Sequence, residues 1–327
     1  MRFFLKFAYN GQNYHGWQSQ PNAVSVQQKI EEALSIVLRL PIAVTGAGRT
    51  DAGVHAREMY AHFDYPSEDT DNVMVAASEN IISPSSECGN DSDSKSNLCS
   101  DSGEVTGSGQ VKFSNRLKDL RLEKDRIILS LNRILGKDIA IYDIIPVADD
   151  AHARFDAVER SYKYFVTFDK TPFLYPFFWH SPTNLNLDKM NEAAALLLET
   201  DDFTSFAKLH SDAKTNICDV RTAIWQPIHN GNPSGNGSAD SDNEYSGASN
   251  EAACLNLIQE GAVFTITADR FLRNMVRAVV GTLVEVGRGK MSIDGFAEVI
   301  RKKDRCTAGT SMPGNALFLW EVKYPYL

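Results

Sequence analysis

The sequence predicts an α+β fold with largely antiparallel sheets, and three observations lead there. Alternating strand-like runs and helix-like runs are interspersed along the 327 residues instead of segregating into blocks. Some strand-like runs, notably 220–228 and 254–267, flank a polar stretch as the two arms of a hairpin would. The length suits two domains of ordinary size, and 43% hydrophobic residues supply a core for each. The expected division is residues 1–150 and residues 151–327.

Residues 2–9 alternate as a strand and lack the long apolar run of a signal peptide. Ser25 to Leu38 is predicted as a helix: Ser25 and Gln28 have capping-box spacing, and Val26, Ile30, Leu34 and Val37 share a face. Ile42–Thr45 and Met59–Asp64 read as strands. Lys124–Leu135 reads as a helix stopped by Gly136, and Ile139–Val147 as a strand. In the second half, Tyr162–Phe168 alternates as a strand, and Leu187–Leu198 is helical behind Asn186 as cap. Val220–Ile228 and Cys254–Thr267 read as strands. Phe271–Val286 is an amphipathic helix ended by Gly287, Ser292–Lys302 is another, and Ala316–Lys323 is a closing strand.

Two stretches look inserted. Residues 83–110 hold nine serines, and residues 230–251 contain no Val, Ile, Leu, Phe or Met, so neither buries enough apolar surface to offset its ordering entropy. Both are expected to be mobile polar loops. They also locate the acidity: each carries a net −4, so the formal −9 falls to −1 for the rest of the chain. A near-neutral body can still hold a basic groove, because local potential governs phosphate binding.

Five cysteines, an odd number with no C-x-x-C pair, argue against a disulfide framework or a cysteine zinc site. No H-E-x-x-H occurs and no apolar run approaches a membrane span. The expectation is a reduced, cytoplasmic, metal-free protein.

The densest chemical signal is Thr45-Gly46-Ala47-Gly48-Arg49-Thr50-Asp51-Ala52-Gly53-Val54-His55-Ala56. Gly46, Gly48 and Gly53 miss the last spacing of a dinucleotide fingerprint. Gly48 and Gly53 have P-loop spacing, but Val54-His55 follows where Lys-Ser/Thr is needed. What remains is a tight loop holding Arg49 and Asp51 among small residues, where the backbone turns sharply and a ligand can approach. Taken alone, Asp51 suits a carboxylate catalyst and a simple Asx turn about equally.

The run Gly48-Arg49-Thr50-Asp51-Ala52-Gly53-Val54-His55-Ala56 resembles the signature loop of the TruA family of tRNA pseudouridine synthases. Other stretches agree in order: Tyr9-Asn10-Gly11 with Tyr14 and Gly16-Trp17-Gln18; His152-Ala153-Arg154-Phe155-Asp156-Ala157 with Arg160-Ser161-Tyr162-Lys163-Tyr164; Asp202-Phe203-Thr204-Ser205-Phe206; and Phe271-Leu272-Arg273-Asn274-Met275-Val276-Arg277 with Val280-Gly281-Thr282-Leu283. The likeness covers nearly the whole chain outside the two insertions. One departure is Glu58-Met59, where the family often carries Gly-Gln.

The resemblance implies the pseudouridine synthase fold, two related α+β halves sharing one cleft. It implies isomerisation of uridine to pseudouridine in the anticodon stem-loop of tRNA, at positions 38 to 40, by a homodimer without cofactor or metal. It also implies Asp51 as the catalytic carboxylate, Arg277 as its partner, and Tyr162 as the aromatic that stacks on the extruded uracil. Arg49, Arg154 and Arg273 are the further expected RNA contacts.

The chemistry suits a carboxylate beside the sugar. Asp51 can attack C1′ or abstract the C2′ proton, and both routes stay open. Helical periodicity places Arg270, Arg273 and Arg277 on one face beside a core stripe of Leu272, Val276, Val279, Val280 and Leu283. Without the resemblance that face reads as solvated, and Tyr162 and Tyr164 as ordinary cross-strand packing residues. Two readings of Arg49 weigh equally: it helps the flip by holding the backbone or filling the vacated space, or it makes an ordinary phosphate contact or a local salt bridge.

Overall fold

The computed structural model describes residues 1–66, 124–208, 214–229 and 260–327. The two predicted polar insertions lie outside the described residues. Among the described residues the elements run β1 (Arg2–Tyr9), α1 (Val26–Leu38), β2 (Thr45–Gly46), β3 (His55–Asp64), α2 (Lys124–Leu135) and β4 (Ile139–Val147). Then come β5 (Glu159–Thr167), β6 (Trp179–His180), α3 (Leu187–Ala195), β7 (Val220–His229), β8 (Glu260–Ala268), α4 (Met275–Gly287), α5 (Ile293–Lys302) and β9 (Leu317–Lys323).

The strands form one continuous sheet in the order β4-β1-β3-β9-β5-β8-β7, with β2 paired to β3 and β6 to β5. Pairing is antiparallel apart from β3 with β9 and the short β6 with β5. The α+β expectation with largely antiparallel pairing therefore holds. The order repeats: β4-β1-β3-β2 in the first half corresponds to β9-β5-β8-β7 in the second. The two runs meet at β3 and β9, where His55 pairs with Phe318 and Ala56 with Leu319.

Apolar side chains bury in two clusters. One gathers β1, α1, β3, α2 and β4; the other gathers β5, α3, β7, β8, α4 and α5. Each borrows across the seam. Leu319 and Val322 of the last strand pack in the first cluster, whereas Val54, next to the glycine-rich loop, packs in the second. The seam is thus held by apolar burial as well as by the sheet, and the loop before β3 is anchored in both halves.

The predicted caps form: Ser25 and Asn186 accept from the backbone N–H groups of Gln28 and Lys189. Ser292, read as the first residue of its helix, is the cap and accepts from Gly295 N–H. Gln28 does not close the box; its side chain turns to Glu32. The helix predicted to Leu198 ends at Ala195. Two predictions need larger correction. Ile42–Val44 is not a strand, because its backbone is bonded to α1 side chains: Ser35 Oγ accepts from Ile42 N–H, Glu31 Oε1 from Val44 N–H, and Gln27 Nε2 donates to the Val44 carbonyl. Only Thr45–Gly46 reaches the ladder. The helix predicted from Phe271 begins at Met275, because Asn274 takes a left-handed conformation with φ 66°.

Candidate active site

The glycine-rich loop is gripped from three sides. Trp17 donates its backbone N–H to the Thr50 carbonyl, Gly53 donates to Tyr14, and Val54 donates to Asp51 itself. The Tyr9 hydroxyl meets Thr50 Oγ1 at 2.8 Å. Three glycines on other segments make the grip possible. A Cβ on Gly11 would sit 2.0 Å from the Val54 carbonyl oxygen, on Gly16 2.4 Å from that of Thr50, and on Gly314 2.6 Å from that of Ala52. Gly16 also needs its φ of 94°.

His55 completes the hold. Its Nδ1 accepts from Gly11 N–H at 3.0 Å, so the ring proton lies on Nε2, which donates to the Asn315 carbonyl at 2.9 Å. The ring also stacks on Phe318 with centroids 4.6 Å apart. Burial pulls its pKa down to about 4, so it is a neutral strut between the N-terminal turn and the segment leading into β9.

Within this cradle Asp51 faces α4. Arg277 Nη1 lies 3.1 Å from Asp51 Oδ2, and Arg273 Nε lies 3.8 Å from Oδ1. Asp51 and Arg277 are mostly covered, at 21% and 23% side-chain exposure, whereas Arg273 at 56% keeps its guanidinium open to an incoming anion. Arg277 has a second anchor: its Nε donates to the Met312 carbonyl at 2.6 Å, and Met312 N–H donates back to the Arg277 carbonyl. That segment reaches α4 because Gly281 is bare; a Cβ there would meet the Thr310 carbonyl oxygen at 1.9 Å.

The expected core stripe of α4 and its approach is buried, from Leu272 through Val276, Val279 and Val280 to Leu283. The arginines are arranged differently from expectation. Arg270 and Arg273 precede the helix, so helical period does not align them with Arg277. It is the left-handed turn at Asn274, tied by its Nδ2 to Ser311 Oγ at 2.7 Å, that lets Arg273 and Arg277 reach the same carboxylate.

Tyr162, on β5 between Ile266 of β8 and Leu319 of β9, packs edge-on against Phe271 with centroids 5.0 Å apart. Burial pushes its hydroxyl up to about 12; the Arg160 charge opposes this and the Asp51 charge adds to it. Tyr162 is therefore a neutral phenol within electrostatic reach of Asp51. Arg49 and Arg154 are exposed, on the glycine-rich loop and the 152–157 turn. Asp51, Arg277, Arg273 and Tyr162 thus belong to one neighbourhood, while Arg49, on the same loop as Asp51, and Arg154, on the 152–157 turn, are surface groups.

One contributor was not singled out from sequence. Arg160 donates from Nη1 to the Ala157 and Asp269 carbonyls, both at 2.7 Å, and from Nη2 to those of Ala47 at 3.1 Å and Arg154 at 2.5 Å. It joins the start of the glycine-rich loop, the 152–157 turn and the approach to α4. The available signal was its place two residues before Tyr162 in the quoted motif. Contacts to backbone carbonyls leave no partner residue type to recognise.

Comparison with known proteins identifies relatives of the whole chain. A family model described as tRNA pseudouridine synthase matches residues 193–325. A protein of Parabacteroides distasonis called tRNA pseudouridine synthase A is 44% identical over 326 residues, covering 99% of this chain and 96% of its own. The chain belongs to the tRNA pseudouridine synthase A family. The same-named protein of Bacteroides fragilis is 42% identical, with 99% and 96% covered, and that of Bacillus subtilis 29% identical, with 99% of both chains covered. The described part of this family member contains no helix long and apolar enough to cross a membrane.

Proposed function

We propose that this protein isomerises uridine to pseudouridine in tRNA, that its targets are uridines 38 to 40 of the anticodon stem-loop, and that it works as a homodimer in the cytoplasm. The observation that carries the chemistry is the Asp51 carboxylate held by Arg277 in a cradle built from both halves of the chain. The family relationship and the tRNA named in its relatives' descriptions support the substrate. The uridine N1–C1′ bond breaks, the uracil turns over, C5 bonds to C1′, the C5 proton leaves to solvent, and N1 takes up a proton from solvent, so no atom is gained or lost overall.

Asp51 supplies the carboxylate, as nucleophile at C1′ or base at C2′. Arg277, doubly anchored, fixes the orientation of that carboxylate. Tyr162 offers a neutral ring for the extruded uracil, and Arg273, Arg49 and Arg154 supply cations for the phosphates. A paired base reaches Asp51 only after flipping, which costs a few kcal/mol.

The test is release of tritium from transcripts labelled at uridine C5. Wild-type protein releases it from unmodified tRNA, and release falls away when uridines 38 to 40 are replaced by cytidines. Undiminished release from the replaced transcript contradicts the assigned positions. No release from any tRNA contradicts the activity. Light scattering that gives the mass of a single chain contradicts the dimer.

A further inference from the structure

Phe155 is 75% exposed, yet it does not sit on a loose loop. His152 Nδ1 accepts from the backbone N–H of both Arg154 (3.1 Å) and Phe155 (3.3 Å). Asp156 Oδ2 accepts from His152 N–H at 2.7 Å and from the Tyr326 hydroxyl at 2.8 Å, and Asp156 N–H returns to the His152 carbonyl. The Phe155 ring rests on His152 with centroids 4.2 Å apart, and His152 in turn meets His62 edge-on at 4.6 Å. A turn so closely bonded holds an apolar ring in water, where exposure has no folding benefit.

The turn is fastened to the catalytic loop. Arg160 Nη2 bonds the Arg154 and Ala47 carbonyls together, four residues before Asp51. Next to Ala47 stands Gly48, which has no positive φ and, among the described residues other than its chain neighbours, no atom within 4 Å of where a Cβ would be. Neither backbone conformation nor packing among the described residues requires a glycine there, and those residues leave the space beside it open. Arg154 lies over the Phe155 ring at 5.9 Å, and Arg49 is exposed one residue past Gly48.

A flat exposed ring with flanking guanidiniums and open space beside it, next to the Asp51 loop, matches the needs of an unpaired nucleotide: a face to stack on and cations for its phosphates. We propose that Phe155 is a stacking platform for a base of the RNA substrate other than the one isomerised, with its backbone passing the open side of Gly48. This rests on the proposed RNA substrate. The rival occupant, a second copy of this chain, is an outcome of the test.

The experiment compares wild type, Phe155→Ala, Phe155→Leu and Phe155→Trp on an unmodified tRNA transcript. It measures kcat/KM for pseudouridine formation, RNA-induced quenching of tryptophan emission, and mass by light scattering. Stacking predicts a loss on the order of 10-fold in kcat/KM for both Ala and Leu. It predicts retention in Trp, and quenching on tRNA binding beyond that of wild type. Wild-type kcat/KM in Ala, rescue by Leu, no added quenching in Trp, or a change of mass in Ala overturns the proposal. If wild type forms no pseudouridine, the proposed activity fails, while the quenching arm still decides the stacking.

Discussion

Arg277 Nη1 lies 3.1 Å from Asp51 Oδ2 although 226 residues separate the two in sequence. The contact spans the seam of the sheet: Asp51 belongs to the loop before β3, and Arg277 to the first turn of α4. Its geometry depends on the second hydrogen bond of Arg277, to the Met312 carbonyl.

Replacing Arg277 by Lys keeps a charge but has one donor head for two separate acceptors. Single-turnover pseudouridine formation should fall by about 100-fold, the scale of losing an oriented electrostatic contact at a reacting centre. Affinity for tRNA should change much less. Equal losses in rate and affinity would make Arg277 a binding residue only.

Glycines in the loop region should separate by neighbour. Gly11→Ala drives a Cβ into the Val54 carbonyl, and Gly46→Ala into the buried Trp17 ring, whereas Gly48→Ala meets nothing among the described residues. Urea unfolding should show losses of about 1–3 kcal/mol for the first two, the usual range for overpacking. Gly48→Ala should keep wild-type stability.

His55 and His62 are both buried with pKa values drawn down to about 4, chiefly by burial. Each unfolds to an ordinary histidine near 6.5, so between these values the unfolded chain binds more protons and stability rises with pH. Stability from these groups is full above about pH 6.5 and is lost as pH falls towards 4, each histidine contributing up to about 1.4 kcal/mol per pH unit in that window. Urea midpoints at pH 7.5 and pH 5 check this. A His62→Gln variant should show a shallower acid slope than wild type.

Tyr162, pushed up to about 12, stays protonated across the working range. The pH–rate profile should show no inflection from a tyrosine between pH 7 and pH 9.5, and Tyr162→Phe should give the same shape. An upper inflection present in wild type and missing in Phe would show that the phenolate takes part.

The legible parts of this molecule were those governed by short-range rules. Caps such as Ser25 and Asn186 announce themselves because one side chain and one backbone N–H three residues on make the contact. Asp51 and Arg277 were found through the family's motifs, not through spacing. Less legible were the features that tertiary contacts decide. Ile42–Val44 has strand composition, but α1 side chains took its hydrogen bonds. The approach to α4 has helical periodicity, but Asn274 breaks it where the Ser311 hydroxyl anchors its amide. Arg160 and the Met312 carbonyl act through the backbone, which leaves no pattern of residue types.

The most direct measurement is carbodiimide mapping of pseudouridine on an unmodified tRNA transcript, with wild type and Asp51→Ala in parallel. The account predicts new stops in the anticodon stem-loop with wild type, none with Asp51→Ala, and undiminished tRNA binding by the variant. Stops of equal strength with Asp51→Ala would remove the carboxylate from the chemistry, and no stops with either protein would contradict the proposed activity itself.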